Sequence, residues 1–336
     1  MLEYISYILL LCLGFFTVII ENRSVLKYIY LPSAILFMFI VRLHGFELDG
    51  YQKDIMTYSL EMKGLLLLTD FYYLREFVFW FILRLCFTIF SSDLITFLFL
   101  DFIWILILIK ICKNNSSENL GKGLIVVLMT CFPFLFGYQN IYRQFYASII
   151  LLYSYSIIDQ KYNRGIFLFI ISIFIHNLAF FIAPLLLIKK FFKFKLSDRI
   201  ILSAVLSQLI ILVLPFVLFL KASAATKFDL SILYLFLFLV AIIIIVLKFK
   251  DNIYHIYNVT PSLIPSSILM CGFIFLRQEM IAERIGMMLL VFLMYDLYKY
   301  SNIIQSKFNR LTLRLLLIII FTLPVFFSES SLKFLY

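Results

Sequence analysis

Residues 94–112 read LITFLFLDFIWILILIKIC, an apolar run whose only charges are Asp101 near the centre and Lys110 near the end. At a rise of about 1.5 Å per residue, an α-helix of this length matches a hydrocarbon core roughly 30 Å thick. Similar runs recur along the chain. Because a backbone in lipid must satisfy its own hydrogen bonds, these solid runs predict transmembrane helices, not the alternating strands of a barrel.

The composition agrees with a membrane protein. Of 336 residues, 64% are hydrophobic and 14% are charged, whereas soluble domains average about 45–50% and about 25%. We therefore predict an all-α fold, a polytopic membrane helix bundle with about 11–13 membrane segments. The whole chain, 1–336, is expected to form a single integral membrane domain. Candidate helices cover residues 3–20, 28–43, 76–90, 94–112, 122–137, 141–158, 166–188, 200–220, 230–248, 261–276, 280–298 and 311–327.

The net charge of +10 is explained by sidedness in the membrane, so no nucleic acid is expected as a partner. Lysine and arginine keep loops on the cytoplasmic side. Placing the basic clusters inside puts 138–143, 221–229 and 277–279 outside. The long polar interruption at 44–75 is rich in acids and is predicted to be an extracytoplasmic loop. The basic clusters lie at 23–27, 110–122, 161–164, 189–195, 248–250 and 299–314.

One apolar tract does not fit this sidedness as a simple span. The tract 166–188 lies between two basic clusters, so both of its ends are predicted to be cytoplasmic. It would then fold back at His176-Asn177, and each half would be too short to cross the bilayer alone. We predict one or two such re-entrant or broken helices in the bundle.

Several signals of cofactor chemistry are missing from the sequence. The five cysteines form no C-x-x-C pair and the three histidines are far apart, so no metal site is predicted. There is no P-loop, G-x-G-x-x-G, G-x-S-x-G or H-E-x-x-H motif. We therefore expect no cofactor.

The charges that remain inside or at the outer ends of helices are candidates for function. Arg143 with Gln144 opens a helix at the outer face, where it either anchors the helix end or binds a phosphate or carboxylate. His176 with Asn177 either packs in the core or takes up a proton near neutral pH. If the tract folds back, His176 and Arg143 approach the same membrane face.

Two further groups of charges have structural and functional readings. Arg277, Glu279, Glu283 and Arg284 form either an ion-pair cluster or a second basic site on the outer face. Arg84 and Asp101 lie on neighbouring helices and are predicted to pair inside the bundle.

The order of these motifs resembles the EpsG family of Wzy-like polysaccharide polymerases. The Arg-Gln motif is R143-Q144-F-Y-A147 and the later histidine is I-F-I-H176-N177-L-A. The outer Asp-Tyr pair is similar to D49-G-Y51, or to D54-I-M-T-Y58. The acidic residue that opens the next helix looks like R75-E76-F-V-F, and the late arginine looks like I-A-E283-R284-I-G. The lead-in R42-L-H44-G45-F departs from the usual Arg-Tyr-x-x-Gly.

The resemblance implies a polymerase that joins oligosaccharide repeat units linked to undecaprenyl diphosphate, at the outer face of the bacterial inner membrane. It implies Arg143, His176 and Asp49 as catalytic residues, with either His176 or Asp49 as the base. Candidate partners are the lipid-linked oligosaccharides, the bilayer, a chain-length regulator and a flippase. The residues it implies for substrate binding are Gln144, Asn177, Tyr51, Arg277, Glu283 and Arg284.

Two alternatives stay open at this point. A GT-C-type glycosyltransferase that uses a polyprenyl-phosphate sugar would place an E-x-D or D-x-D tripeptide in the first large outer loop, and E47-L-D49 is such a tripeptide. A flippase for lipid-linked glycans would line its pathway with buried arginines, although inverted repeats are then expected.

Overall fold

The computed structural model describes the protein as an assembly of α-helices. Residues 2–47, 53–63, 76–114, 122–190, 196–217, 230–249, 260–275 and 279–327 are described, and no strand occurs among them. The predicted all-α fold is thus confirmed. The α-helices are α1 (Leu2–Ile20), α2 (Arg23–Val25), α3 (Leu31–Glu47), α4 (Lys53–Lys63), α5 (Phe77–Phe90), α6 (Asp93–Asn114), α7 (Lys122–Thr130), α8 (Phe132–Gln139), α9 (Tyr142–Ile157), α10 (Tyr162–Ile175), α11 (Ala183–Lys190), α12 (Leu196–Val217), α13 (Leu230–Phe249), α14 (Leu263–Phe275), α15 (Glu279–Ser301) and α16 (Lys307–Phe327).

Four stretches in the described part of the chain are long and apolar enough to cross a membrane, and six shorter apolar helices accompany them. The chain is therefore a multi-pass membrane protein. The predicted number of segments stays a prediction. The four long stretches are Leu2–Ile20, Arg23–Leu43, Asp93–Asn114 and Lys307–Phe327.

The chain folds into two compact units. The first comprises Met1–Ala179 together with Ser301–Tyr336, and the second comprises Phe180–Tyr300. The prediction of a single integral membrane domain stays a prediction. The predicted extracytoplasmic loop at 44–75 contains the helix α4, which the sequence reading had treated as loop.

In the first unit, α9 forms a hairpin with α10 and also packs against α6. Nearly every side chain of α9 is buried, so this helix lies in the interior of the unit. The hairpin turn is tight at Gly165, where a Cβ atom would come within 3.0 Å of the Ile158 backbone. Ser154 Oγ donates to the Gly165 carbonyl at 2.7 Å and joins the two helices at the same point.

The helix predicted at 122–137 is divided in two. Cys131 adopts an extended conformation and Pro133 stands in the first turn of α8, where proline is tolerated because that turn needs no N–H partner. The break leaves the Thr130 carbonyl without its helical bond. Tyr7 Oη donates to this carbonyl at 2.7 Å, which ties α1 to the break.

The break predicted at His176 is confirmed. α10 ends at Ile175, and His176 has φ −152° and ψ 121°, so its backbone is extended. A 3₁₀ helix, Asn177–Ile182, follows. The position of the histidine at the end of a helix, not within one, lets its side chain and the next backbone amide reach the same partner.

A buried ion pair joins α3 to α6. Arg42 Nε donates to Asp101 Oδ2 at 2.7 Å and Arg42 Nη2 to Asp101 Oδ1 at 3.0 Å. The predicted pairing of Asp101 with Arg84 is therefore wrong. Sequence proximity favoured the neighbouring helix α5, but the helix that packs on this face of α6 brings an arginine from 59 positions earlier.

Three more groups complete the surroundings of this ion pair. Tyr142 Oη donates to Asp101 Oδ1 at 2.8 Å and Trp104 Nε1 donates to it at 3.1 Å. Arg42 Nη2 also donates to the Tyr138 carbonyl at 3.2 Å. A charge pair out of water needs such additional hydrogen bonds to offset its desolvation. The network thereby fixes the start of α9, since Tyr142 is its first residue.

A second ion network in the first unit joins the residue after α1 to α16. Glu21, which has φ 53°, accepts from Arg314, and Arg310 Nε lies 3.5 Å from the same oxygen. Arg314 is buried and also donates to Ser301 Oγ at 3.1 Å. The sequence reading had counted Arg314 with the basic charges of an inner loop. Arg314 is instead buried on α16, where it joins Glu21 after α1 to Ser301 at the end of α15.

The second unit has its own polar anchor. Asp296 of α15 is 1% exposed and accepts from both the backbone amide, at 2.9 Å, and the hydroxyl, at 2.5 Å, of Ser262. Ser262 precedes α14, so these bonds hold the start of that helix against α15.

The Arg42–Asp101 pair leads to a stability prediction. Asp101→Leu leaves a buried guanidinium without its carboxylate and should lower the free energy of unfolding by about 3–5 kcal/mol. The double variant Arg42→Met/Asp101→Leu should recover part of that loss because no charge is then buried, while Tyr142 Oη and Trp104 Nε1 still lack their acceptor. Unfolding of the detergent-purified protein in mixed micelles measures both. Gln160→Ala, at an exposed turn, is the control and should change little. A double variant as unstable as Asp101→Leu would contradict the pairing.

Candidate functional site

Glu76 lies immediately before α5, and its carboxylate is directed into the protein. The residue is the N-cap of α5, but its side chain makes no capping hydrogen bond. Its carbonyl accepts from Phe79 N at 3.2 Å, so the backbone alone begins the helix. The carboxylate is therefore available to other elements, and only 1% of the side chain is exposed.

Arg143, the second residue of α9, forms an ion pair with Glu76 through Nη1 and Oε2. Its Nε donates to Tyr58 Oη at 3.3 Å. The guanidinium carbon lies 5.4 Å from the ring centroid of Tyr58 and 5.1 Å from that of Trp80, within the range of cation–π attraction. The side chain keeps 15% of its surface exposed. The guanidinium thus contacts Glu76, Tyr58 and Trp80, and the side chain that carries it stays partly accessible.

His176 reaches the other oxygen of the same carboxylate. Its Nδ1 lies 3.1 Å from Glu76 Oε1, and the backbone amide of Asn177 donates to Oε1 at 3.3 Å. Asn177 Oδ1 also lies 3.1 Å from Nδ1, and the Leu178 amide donates to the same nitrogen at 3.4 Å. An ionised carboxylate and an amide oxygen only accept hydrogen bonds, so the two shorter contacts favour the tautomer with its hydrogen on Nδ1. In the neutral imidazole Nε2 then has the free lone pair. The arrangement prepares His176 to accept a proton at Nε2.

Tyr58 comes to the site on α4, which packs against the starts of α5 and α6 within the first unit. Ser59 Oγ and Lys63 Nζ both bind the Asp93 carboxylate at the start of α6. Ile55, one turn away, is fully buried. Tyr58 also packs edge-to-face on Trp80, with ring centroids 5.7 Å apart. A helix from the predicted outer loop therefore supplies one wall of the site.

The Arg42–Asp101 network holds in place the start of α9, the helix that carries Arg143. Tyr142, adjacent to Arg143, is fully buried and is held by Asp101. Tyr146 Oη donates to the Leu100 carbonyl at 2.6 Å, which fixes the next turn of α9. Because the first two turns of α9 are bound in this way, the guanidinium of Arg143 is preorganised.

Of the residues predicted for the site, the structure brings three together. Arg143, His176 and Asn177 all bind the Glu76 carboxylate. Gln144, the residue after Arg143 on α9, is buried. Its backbone carbonyl accepts from Ser148 Oγ at 2.8 Å.

The remaining predicted residues belong to other parts of the chain. Glu283 and Arg284 are half-buried on α15, in the second compact unit. Asp49, Tyr51 and Arg277 lie outside the described residues.

Glu76 and Tyr58 were not selected as site residues from the sequence. A glutamate at a helix start is ordinarily a favourable charge for the helix dipole, so nothing in its position marked it as a partner of two distant side chains. The family-like strings R75-E76-F-V-F and D54-I-M-T-Y58 were the available signal. Both residues contact Arg143, which lies 67 positions after Glu76 and 85 positions after Tyr58 in the sequence.

The site can bind an anion and move a proton. A guanidinium binds phosphate and carboxylate oxygens well, and burial strengthens that attraction relative to water. His176 can take a proton at Nε2. Among the described residues, no group of three or more histidine, cysteine or acidic side chains could hold a metal ion.

A scan against protein-family models decides the relationship. The model of the EpsG family matches residues 28–333. The chain belongs to the EpsG family. This family comprises Wzy-like polymerase-type proteins, which gives the chain a polysaccharide polymerase-like role. Searches of curated proteins and of solved structures found no significant match. The EpsG-family match covers both compact units and includes Glu76, Arg143 and His176.

The docking of α4 in this EpsG-family protein can be tested by labelling. Asp93→Ala removes the acceptor of Ser59 and Lys63, and hydrogen bonds to a charged group are worth about 1.5–3 kcal/mol. Ile55→Cys, in a chain without its native cysteines, should therefore react with a water-soluble maleimide at least about tenfold faster when Asp93→Ala is present. Leu60→Cys, on the exposed face, is the control and should react at one rate in both backgrounds. Equal rates at Ile55 would contradict the docking.

Proposed function

We propose that this chain is a glycosyltransferase that polymerises oligosaccharide repeat units linked to undecaprenyl diphosphate. The reaction takes place at the outer face of a bacterial inner membrane and builds a surface polysaccharide such as a capsule or O-antigen. The observation that carries the proposal is the Glu76 carboxylate, which joins Arg143, the candidate phosphate ligand, to His176, the candidate base. Family membership supports the same reaction class.

Arg143 binds the diphosphate of the donor. In this reaction the bond between the anomeric carbon and the diphosphate oxygen breaks, and the oxygen keeps the electron pair. The transition state therefore develops negative charge on the leaving group. A preorganised guanidinium beside that oxygen stabilises the transition state more than the ground state.

His176 is the general base for the acceptor. The acceptor is a sugar hydroxyl of another lipid-linked unit, and its oxygen forms the new bond to the anomeric carbon. The proton of the hydroxyl passes to Nε2 of His176, whose Nδ1–H faces Glu76. A base held in one tautomer by a carboxylate contributes about 10²–10⁴-fold to such a step. Asp49, the other candidate base, stays a proposal that depends on residues outside the described part.

The remaining predicted residues have supporting roles. Tyr58 and Trp80 offer aromatic faces beside Arg143, which suit the apolar face of a sugar ring. Gln144 and Asn177 offer amide groups for sugar hydroxyls. Tyr51, Arg277, Glu283 and Arg284 are proposed to contact the substrate as well. No cofactor is required, and a chain-length regulator and a flippase are the proposed protein partners.

The proposed roles of Arg143 as diphosphate ligand and of His176 as base are tested by the length of the polysaccharide. In a host that lacks its own polymerase, Arg143→Ala and His176→Ala should each lower the polymerisation rate by at least about 10²-fold. Single repeat units should still reach the surface, while long chains disappear from the gel ladder. Arg143→Lys should recover only part of the activity because an ammonium lacks the planar fork.

The matched control is Arg164→Ala, an exposed arginine near the start of α10, which should leave the ladder unchanged. If Arg143→Ala gave normal chain lengths in a protein that is expressed normally, the proposed function would be wrong. Loss of the single repeat unit together with the ladder would instead favour an earlier transferase or a flippase.

A further inference from the structure

The two oxygens of Glu76 serve different elements. Oε1 binds His176 and the Asn177 amide, both at the break after α10, whereas Oε2 binds Arg143 on α9. The carboxylate can therefore lose one of these attachments and keep the other.

The three side chains also differ in access. The side chain of Glu76 is 1% exposed, that of His176 is 9% exposed and that of Arg143 is 15% exposed. Glu76 is thus the most enclosed of the three side chains, and Arg143 is the most accessible. An incoming anion therefore competes with Glu76 for Arg143.

We propose that Glu76 is an exchangeable counter-ion: Arg143 leaves Oε2 for the diphosphate of the substrate and returns to it when the product leaves, while Oε1 keeps His176 in place. This inference rests on the proposed function, because it assumes a diphosphate as the anion. Glu76 is thus a positioning residue, which acts through Arg143 and His176 and does not touch the reacting atoms.

The chemistry of the leaving group gives a reason for this exchange. In the donor, each phosphate carries one ionised oxygen. When the bond between the anomeric carbon and the phosphate oxygen breaks, that oxygen keeps the electron pair, and the diphosphate gains one negative charge. Arg143 therefore attracts the product more strongly than the substrate. A carboxylate that reclaims the guanidinium reduces the affinity for the product and speeds its release.

The sign of one substitution separates this role from a structural one. Glu76→Gln removes the competing charge, so the affinity of the protein for inorganic pyrophosphate should rise by about tenfold, a change of about 1.4 kcal/mol. The turnover rate should nevertheless fall, because the product is retained and an amide holds His176 less firmly. A merely structural Glu76 predicts weaker binding and slower turnover together.

The experiment uses the full chain, purified in detergent and also placed in lipid nanodiscs. The detergent-purified protein is titrated calorimetrically with inorganic pyrophosphate, and the protein in nanodiscs is titrated with undecaprenyl diphosphate. The comparison shows whether the site binds a free diphosphate or the headgroup of a lipid. Glu76→Gln should bind both more tightly. Glu76→Asp keeps the charge and should show no such gain. Gln160→Ala, in the exposed turn after α9, is the control and should bind as the wild type does.

A second measurement applies if Glu76→Gln does not fold. The chain has two tryptophans, so Trp104→Phe leaves Trp80, which lies under the Arg143 guanidinium, as the reporter. Saturating pyrophosphate should then change the fluorescence of Trp80 as the guanidinium moves. No change in emission, or a folded Glu76→Gln protein that binds pyrophosphate no more tightly, would overturn the exchange. If Arg143→Ala bound pyrophosphate as tightly as the wild type, the proposed role of Arg143 as the diphosphate ligand would be wrong.

Discussion

A charge in the interior of a membrane protein must be paired there, and the Arg42–Asp101 contact meets this requirement for the first unit. The carboxylate accepts from an arginine of α3, a tryptophan of its own helix and the tyrosine that opens α9. Removal of any of these partners would leave a polar group without compensation in a medium where water cannot replace it. The start of α9 is fixed as a result, and the candidate site is built on that start.

The site repeats the same physical principle nearer the surface. Glu76 is buried, so its charge is compensated by Arg143, by His176 and by a backbone amide. In contrast to the Asp101 pair, one of these partners is partly exposed. A buried network with an accessible cation combines rigidity with the ability to receive an anion, and this combination distinguishes a candidate site from a purely structural ion pair.

Breaks in helices place the functional groups. His176 and the Asn177 amide reach Glu76 because α10 ends at Ile175, and the Asn177 amide then has no place in a helical ladder. The break after Thr130 works in the same way, since its freed carbonyl accepts from Tyr7. Irregular backbone of this kind is tolerated within a membrane protein where other protein groups satisfy it.

The sequence by itself determined the all-α membrane class, the break at His176 and the candidacy of Arg143 and His176, because hydrophobic length and misplaced charge are local properties. It did not determine that Asp101 pairs with Arg42 instead of Arg84, that α4 carries Tyr58 to Arg143, or that Glu76 joins Arg143 to His176. These contacts link residues between 59 and 100 positions apart. Only the packing of the helices decides such pairs, since each charge is compatible with several partners until the bundle brings one of them close.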